Sequence, residues 1–197
     1  MIAYLNGEIT YKNPAFIYVE CHGVGYHVNI SLNTYSKLEG LNKIKIYTYM
    51  NVREDDQSLY GFFDDDERSV FIHLISVTGI GVNTARVILS YMNPDEIRTA
   101  IIHDDAHAFS KAKGVGPKTA KRIILDLKDK VVKESGQEQV TSVNLQVQPM
   151  QQEAVFALIA LGFPKPVVEK NVRQIISKQP EITSVQELIK IALKQMS

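Results

Sequence analysis

The chain has 197 residues, of which 45% are hydrophobic and 22% are charged, a length that suits one large domain or two to three small ones. Its 22 Lys and Arg residues balance its 22 Asp and Glu residues, so no overall field attracts the protein to nucleic acid or anionic lipid, and a polyanion site has to be a local patch. The single cysteine, Cys21, excludes an intramolecular disulfide framework and a zinc site of several thiolates.

The N-terminal sequence predicts neither export nor membrane insertion. A carboxylate, Glu8, comes early, and no basic stretch followed by an apolar run marks a signal peptide. The apolar runs are far shorter than the roughly 18–20 residues that span a bilayer. We therefore expect a soluble, cytoplasmic protein that does not enter a membrane.

Residues 1–63 carry the pattern of short β-strands. β-branched and aromatic residues dominate, and Gly23–Gly25 suits a tight turn because glycine tolerates a positive φ. Five strands in about sixty residues predict a small closed β-barrel of the oligonucleotide-binding (OB) type, since closure removes exposed sheet edges. The predicted strands are Met1–Glu8, Ala15–Cys21, Tyr26–Ile30, Ile44–Tyr49 and Gln57–Phe63.

A charged segment, Arg53–Asp56, separates the last two predicted strands and is expected at a loop tip. Taken alone, such a tip is ordinary solvated surface. Beside a surface that binds phosphates, its three adjacent carboxylates would instead repel DNA backbones or block a wrong binding mode. A metal-dependent nuclease would also use carboxylates, but no distant acidic partners accompany these three.

From residue 64 to 134 the spacing of apolar residues becomes helical. The four carboxylates of Asp64–Glu67 stand where a helix would begin and suit the positive end of its dipole, which predicts a solvated helix cap. Two glycine turns, Gly79–Gly81 and Gly114–Gly116, then recur 35 residues apart. Each is predicted to join two helices, so this region predicts a tandem helix-hairpin-helix domain.

The two turns have the chemistry of a phosphate site. Two glycines around one apolar residue let the backbone approach a ligand closely, and the following helix points unpaired N–H groups at the same place. Residues 111–133 add eight basic side chains, opposed only by Asp126 and Asp129, so this stretch carries about six positive charges. The basic residues are Lys111, Lys113, Lys118, Lys121, Arg122, Lys128, Lys130 and Lys133. The pattern favours binding of phosphate backbones without base identity, and the alternative is two ordinary helical hairpins with glycine C-caps.

The last part of the sequence predicts a tethered helical module. Residues 135–150 lack aromatic side chains and are rich in Gln and Ser, which predicts a flexible linker. Residues 151–197 then predict three short helices: Glu153–Leu161, a second helix from Pro166 to about Lys178, and a third opened by the capping box Ser184–Glu187. The whole chain is thus predicted to be a multi-domain α+β protein with a three-helix, UBA-like C-terminal module.

No catalytic, metal or cofactor site is predicted. Gly114–Thr119 resembles the end of a nucleotide-binding P-loop, but Pro117 stands where that loop needs glycine. His103 and His107 have the spacing of a zinc-protease helix, but an aspartate replaces the glutamate base and no third ligand is evident. We therefore expect no ATP hydrolysis by this chain.

These features follow one another in the chain in a fixed order, which includes the segment Arg53–Phe62 and then the two glycine turns. In this order the sequence resembles the RuvA family of Holliday-junction-recognition subunits over essentially its full length. The resemblance implies a fourfold-symmetric homotetramer, single or doubled, that holds an open four-way junction during recombination and DNA repair. Glu54 and Asp55 match the family's acidic pin, which surrounds the junction centre. The first turn departs from the pattern, because Asn83 stands where relatives often have lysine. The implied DNA-binding residues are Gly79, Ile80, Gly81, Asn83, Gly114, Val115, Gly116, Lys118, Lys121 and Arg122.

The resemblance also implies partners. The C-terminal module resembles the part of the family that binds the hexameric ATPase motor RuvB, and a tether would let it follow that motor while the platform stays on DNA. The junction resolvase RuvC is a further partner of this kind. The candidate docking face is the apolar surface around Leu158, Leu161, Phe163 and Ile189, although core packing is the favoured interpretation for most of these residues.

Two alternative functions stay open on the sequence alone. The first is a helix-hairpin-helix glycosylase or nuclease, although Asp126 and Asp129 lie too near the second turn for the usual separation of the catalytic aspartate. The second is a single-strand-binding protein that stacks bases on barrel aromatics. The tyrosines available for it are Tyr18, Tyr26, Tyr47 and Tyr49.

Overall fold

The computed structural model describes residues 1–134, 149–179 and 181–196, which fall into two units, Met1–Gln139 and Val140–Ser197. Most of the linker predicted at 135–150 lies outside the described residues. Its last two positions, 149 and 150, belong to a helix. Among the described helices, none combines the length and the apolar character that crossing a membrane requires.

The first unit begins with a closed five-stranded barrel, as predicted. Its strands are β1 (Tyr4–Lys12), β2 (Phe16–Cys21), β3 (Val24–Ile30), β4 (Lys43–Val52) and β5 (Gln57–Phe62), in the order β1-β2-β3-β5-β4. All neighbours are antiparallel except β3 and β5. Alternate side chains fill the interior, among them Ile17, Val19, Val28 and Ile46, all 0% exposed. Because buried and exposed side chains alternate in this way, the strands could be predicted from the sequence.

A short helix between β3 and β4, α1 (Leu32–Lys37), was not predicted. Ser31 caps it by accepting a hydrogen bond from Thr34 N at 2.9 Å. At six residues it is too short to show a helical stripe of apolar residues, and that stripe was the signal on which helix prediction relied.

Between residues 63 and 134, five helices follow the barrel and confirm the predicted tandem helix-hairpin-helix arrangement. They are α2 (Asp65–Ser76), α3 (Val82–Tyr91), α4 (Pro94–Ile102), α5 (Ala106–Ser110) and α6 (Pro117–Glu134). Their core continues into the barrel through Phe71, whose ring centroid lies 4.8 Å from that of Phe62 and 5.6 Å from that of Tyr60. The barrel and the helices are therefore one packed body.

A buried carboxylate also joins the barrel to the helices. Glu67 on α2 is 0% exposed and accepts hydrogen bonds from the hydroxyls of Ser31 at 2.6 Å and Thr34 at 2.8 Å. Burial raises the pKa of Glu67, and the two hydroxyl bonds oppose that rise. Asp64 does cap α2, accepting from Glu67 N at 2.8 Å. The predicted solvated cap is therefore wrong for Glu67, because tertiary packing turns this residue inward.

In the described part of the second unit, residues 149–179 and 181–196, there are three helices, as predicted: α7 (Pro149–Ala160), α8 (Lys165–Lys178) and α9 (Val185–Met196). The helix α7 begins four residues before the predicted Glu153. Side chains of this unit that are 0% exposed include Ala154, Leu158, Val168, Leu188 and Ala192. Burying one face of each helix against the other two is what stabilises so small a module.

Candidate nucleic-acid interface

The two glycine turns have the same backbone conformation. Gly79 has φ +95° and Gly114 has φ +92°, a left-handed region that glycine enters without the clash a Cβ would cause. Each turn ends one residue before a helix, α3 after Gly81 and α6 after Gly116. The internal repeat seen in the sequence is therefore a repeat of backbone geometry.

The apolar residue at the centre of each turn is buried. Ile80 and Val115 are each 5% exposed, and their amides donate to Val77 O at 3.0 Å and to Ala112 O at 3.1 Å. These side chains, which the resemblance placed among the DNA-binding residues, thus belong to the hydrophobic core. Their place in the site is to hold the turn, while the flanking glycines face outward.

The helices that follow the turns begin without a side-chain cap. Gly81 makes no capping hydrogen bond to α3, and Gly116 has no side chain with which to cap α6. By contrast, a side chain caps each of the other four helices of this unit; the cap residues are Ser31, Asp64, Asn93 and Asp105. A Cβ added at Gly81 or Gly116 would meet nothing within 4 Å. The first-turn N–H groups of α3 and α6 are thus open to an anion.

The two turns lie side by side. A Cβ built on Gly114 would stand 3.9 Å from Thr84 Oγ1, in the first turn of α3. The open start of α3 and the second turn therefore border one surface, and neither turn is hidden inside the fold.

Cations accompany the second turn. Lys118 and Lys121 are exposed in the first turns of α6. Arg122 is half exposed, and its Nε lies 3.6 Å from Asp126 Oδ2, a surface pair of about 0–1 kcal/mol that a phosphate can replace. Two more of the predicted cations are engaged within the fold: Lys128 Nζ bonds Asp104 Oδ2 at 2.6 Å, and Lys130 Nζ donates to Ser76 Oγ at 3.2 Å. The basic patch is therefore smaller than the sequence count indicated.

The start of α3 is tied to the barrel instead. Asn83 Oδ1 accepts a hydrogen bond from Tyr60 Oη at 3.2 Å. Arg86 Nη1 donates to Ala15 O and to Asn29 Oδ1, both at 3.2 Å. Sequence reasoning did not find Arg86, because a single arginine in an amphipathic helix gives no signal of a distant strand partner.

The acidic segment forms the tip of the β4–β5 hairpin. Val52 pairs with Gln57, and Arg53 N donates to Asp56 O at 2.8 Å, which closes the tip. Glu54 and Asp55 are exposed there. Within the described parts of the chain, neither carboxylate is paired with a cation, so both keep their charge free to act on a ligand.

The apolar surface of the C-terminal unit differs from the predicted one. Leu158 is 0% exposed and packs inside the module, which is the core packing that the sequence favoured for most of these residues, so it does not lie on the surface. Phe163 and Ile189 are partly buried against the same core. The most exposed large apolar side chains of this unit are Phe156 at 76%, Leu161 at 61% and Val167 at 44%. Because residues 154–160 of α7 are all apolar, the sequence could not tell the inner face of this stretch from its outer one.

No metal cluster accompanies the turns: in residues 1–134, 149–179 and 181–196, no three His, Cys, Asp or Glu side chains stand close enough together to hold an ion. His103 Nδ1 is 2.9 Å from Thr99 O at the end of its own helix.

A packed barrel with paired hairpins and open helix starts defines a tandem helix-hairpin-helix protein. Three family models match the chain: the RuvA N terminal domain at residues 1–61, the SAM-like helix-hairpin-helix tandem at residues 71–129, and the RuvA C-terminal domain at residues 149–197. The chain belongs to the RuvA family.

Curated relatives match the chain over its full length. It is 42% identical over 197 residues to a protein of Cytophaga hutchinsonii, with 98% of this chain and 99% of the relative covered. It is 44% identical over 207 residues to a protein of Bacteroides fragilis and 43% identical over 196 residues to one of Flavobacterium psychrophilum, with 100% of both chains covered in each case. All three are named Holliday junction branch migration complex subunit RuvA.

Proposed function

We propose that this chain binds four-way DNA junctions by their sugar–phosphate backbones and holds them for a separate motor. The proposal rests on one observation: the second glycine turn lies beside the uncapped start of α3, which follows the first turn. The backbone amides at the starts of α3 and α6 donate hydrogen bonds to the phosphates of one DNA backbone. The side chains of Lys118, Lys121 and Arg122 add positive charge beside them. These groups reach phosphates and not base edges, so binding is independent of sequence and falls with salt.

The acidic tip supplies selectivity for a junction over continuous duplex. Four copies in a homotetramer, single or doubled, would place Glu54 and Asp55 around the centre of the junction. Their carboxylates repel phosphates there and keep the strands of the open centre apart. The support is the closed hairpin tip, which presents both charges on a rigid barrel.

The C-terminal module, proposed to span residues 151–197, binds the motor. Its support is the exposed apolar side chains Phe156, Leu161 and Val167, which an apolar partner surface would cover. The proposed partner is the hexameric ATPase RuvB, with RuvC as a further partner. In this proposal ATP hydrolysis belongs to the motor, this chain is not an enzyme, and the complex acts in the cytoplasm in recombination and repair. The other domains span 1–63 and 64–134, joined to the module by 135–150.

Binding of labelled synthetic DNA to the full chain tests the proposal. We expect tighter binding to a four-way junction than to linear duplex, equal affinity for two junctions of unrelated sequence, and a linear fall of log affinity with log salt concentration. Affinity for duplex equal to that for the junction would contradict it. Adding Mg²⁺ tests the enzyme alternative in the same tubes, because strand cleavage or base release would favour a nuclease or a glycosylase.

A further inference from the structure

A row of aromatic rings crosses the outside of the barrel over strands β1, β2 and β3. Tyr11 on β1 pairs in register with Tyr18 on β2, which pairs with His27 on β3. The ring centroids of Tyr11 and Tyr18 are 5.3 Å apart, and those of Tyr18 and His27 are 5.6 Å apart. Phe16 stands beside the row, 4.4 Å from His27 and 5.5 Å from Tyr11. Three neighbouring strands thus present one continuous aromatic surface, called here the aromatic row.

The aromatic row is not part of the barrel core. Tyr11 is 49% exposed and Tyr18 is 40% exposed, whereas the residues on either side of Tyr18 in β2 fill the interior. The other three tyrosines considered for base stacking have contacts elsewhere, and Tyr26 packs, partly buried, against the barrel core. Tyr49 packs on Phe71, with ring centroids 5.4 Å apart, and Arg68 lies 5.5 Å from the ring centroid of Tyr47. Only Tyr18 of that predicted set belongs to the row.

Charge differs between the two sides of the row, along the direction of the strands. On the side of Phe16, Arg86 is held against Asn29, the register partner of Phe16. On the opposite side, Glu8 and Glu20 face each other across β1 and β2, and Glu8 is paired with Lys43 Nζ at 2.9 Å. A polyanion lying on the rings is therefore attracted towards the arginine and repelled from Glu20.

We propose that the aromatic row binds unpaired nucleotides, with bases stacked on Tyr11, Tyr18 and His27 and phosphates towards Arg86. Every base has a π face, so such stacking tolerates any sequence. By analogy of fold, OB barrels bind oligonucleotides on the face of strands 2 and 3, where Phe16, Tyr18 and His27 lie. The exposed ring surface is on the order of 300 Å², which suits a few bases and falls well short of the roughly 800 Å² per partner of a stable protein interface. This site is separate from the proposed duplex contacts and does not depend on them.

The test is the affinity of the full chain for a fluorescein-labelled oligothymidylate, measured by fluorescence anisotropy. We expect the double variant Tyr11→Leu/Tyr18→Leu to lose at least about fivefold in affinity, because leucine stays apolar but cannot stack. Tyr18→Phe keeps the ring and should bind like the unmodified chain. Tyr4→Leu is the matched control, since Tyr4 is 52% exposed on the same barrel but outside the row.

The same variants separate this inference from the junction proposal. A fully paired four-way junction offers no free bases, so its affinity should stay unchanged in the double variant. Unchanged oligothymidylate affinity in a folded double variant, or none in the unmodified chain, would overturn the inference. A change in native mass on Tyr18→Leu, without loss of oligothymidylate binding, would also overturn it and assign the row to a contact between copies.

Discussion

The two glycine turns share one backbone but differ in what surrounds them. Both have a glycine near φ +93° (Gly79 at +95° and Gly114 at +92°), a buried apolar residue and an uncapped helix start. The first turn is anchored to the barrel through Asn83 and Arg86, whereas the second carries exposed lysines on α6. A phosphate site thus divides into two parts: amides, which both turns supply by their shape, and exposed lysines, which the sequence adds at the second turn.

The first prediction concerns the shared part and has the largest expected effect. Gly81→Asp and Gly116→Asp each place a capping carboxylate at an open helix start. Aspartate is a good N-cap, so stability should stay equal or rise by a few tenths of a kcal/mol, while junction affinity should fall by about tenfold or more through repulsion of the phosphate. Calorimetry and binding of labelled junction measure the two effects.

Uncharged caps provide the control for this prediction. Gly81→Ser and Gly116→Ser satisfy the same amides without a negative charge and should lose less affinity than the aspartates. If only the Gly116 variants lose affinity, the first turn does not contact phosphates through its backbone. The claim that both turns supply amides to the DNA would then be wrong.

The second prediction concerns the part that differs. Asn83 and Lys118 occupy the same place in the repeat, 35 residues apart. Lys118→Asn should weaken junction binding by about fivefold and lower the salt slope by about one, and Asn83→Lys should change both quantities in the opposite direction. Lys43→Gln removes one positive charge at an exposed lysine of the barrel, which pairs with Glu8, and controls for net charge. Equal salt slopes in all three variants would show that Lys118 does not contact a phosphate.

The third prediction tests the acidic tip against both turns. Glu54→Gln/Asp55→Asn removes two exposed charges and leaves the hairpin closure, which is made by the backbone of Arg53 and Asp56. Junction affinity should stay equal or rise, and selectivity over linear duplex should fall by about two- to threefold because these charges are solvated and screened. Competition of junction and duplex for the variant measures it, and full selectivity would contradict the role given to the tip.

Sequence patterns predicted the repeated elements well and the contacts between elements poorly. Period-two alternation and paired glycines are local signals, so the barrel and the two turns were predictable. The burial of Glu67 was not predictable. Its partners are Ser31 and Thr34, the cap and a residue of a helix too short to be predicted, and both are more than 30 positions away. Leu158 and Phe156 show the same limit: on a stretch of helix that is apolar all round, only tertiary packing decides which side chain is inside.

The last prediction tests the anchoring of the first hairpin to the barrel. Glu67→Gln keeps the size of the side chain and an oxygen that can accept from Ser31 and Thr34, but it cannot ionise. Because burial raises the pKa of Glu67 above its unfolded value of 4.5, the stability that its protonated form contributes is full below pH 4.5. That contribution is lost as pH rises through the folded pKa.

The difference in unfolding free energy between the variant and the unmodified chain should therefore shift in favour of the variant from pH 4.5 upward. Urea unfolding at a series of pH values measures it, and taking the difference cancels the other titrating groups. At any given pH, the variant should bind the junction about as tightly as the unmodified chain, since Glu67 lies where α2 packs on the barrel and not at the glycine turns. A pH-independent difference would mean that Glu67 ionises as easily in the folded protein as in the unfolded chain. The burial of Glu67 would then have no effect on the stability of the contact between α2 and the barrel.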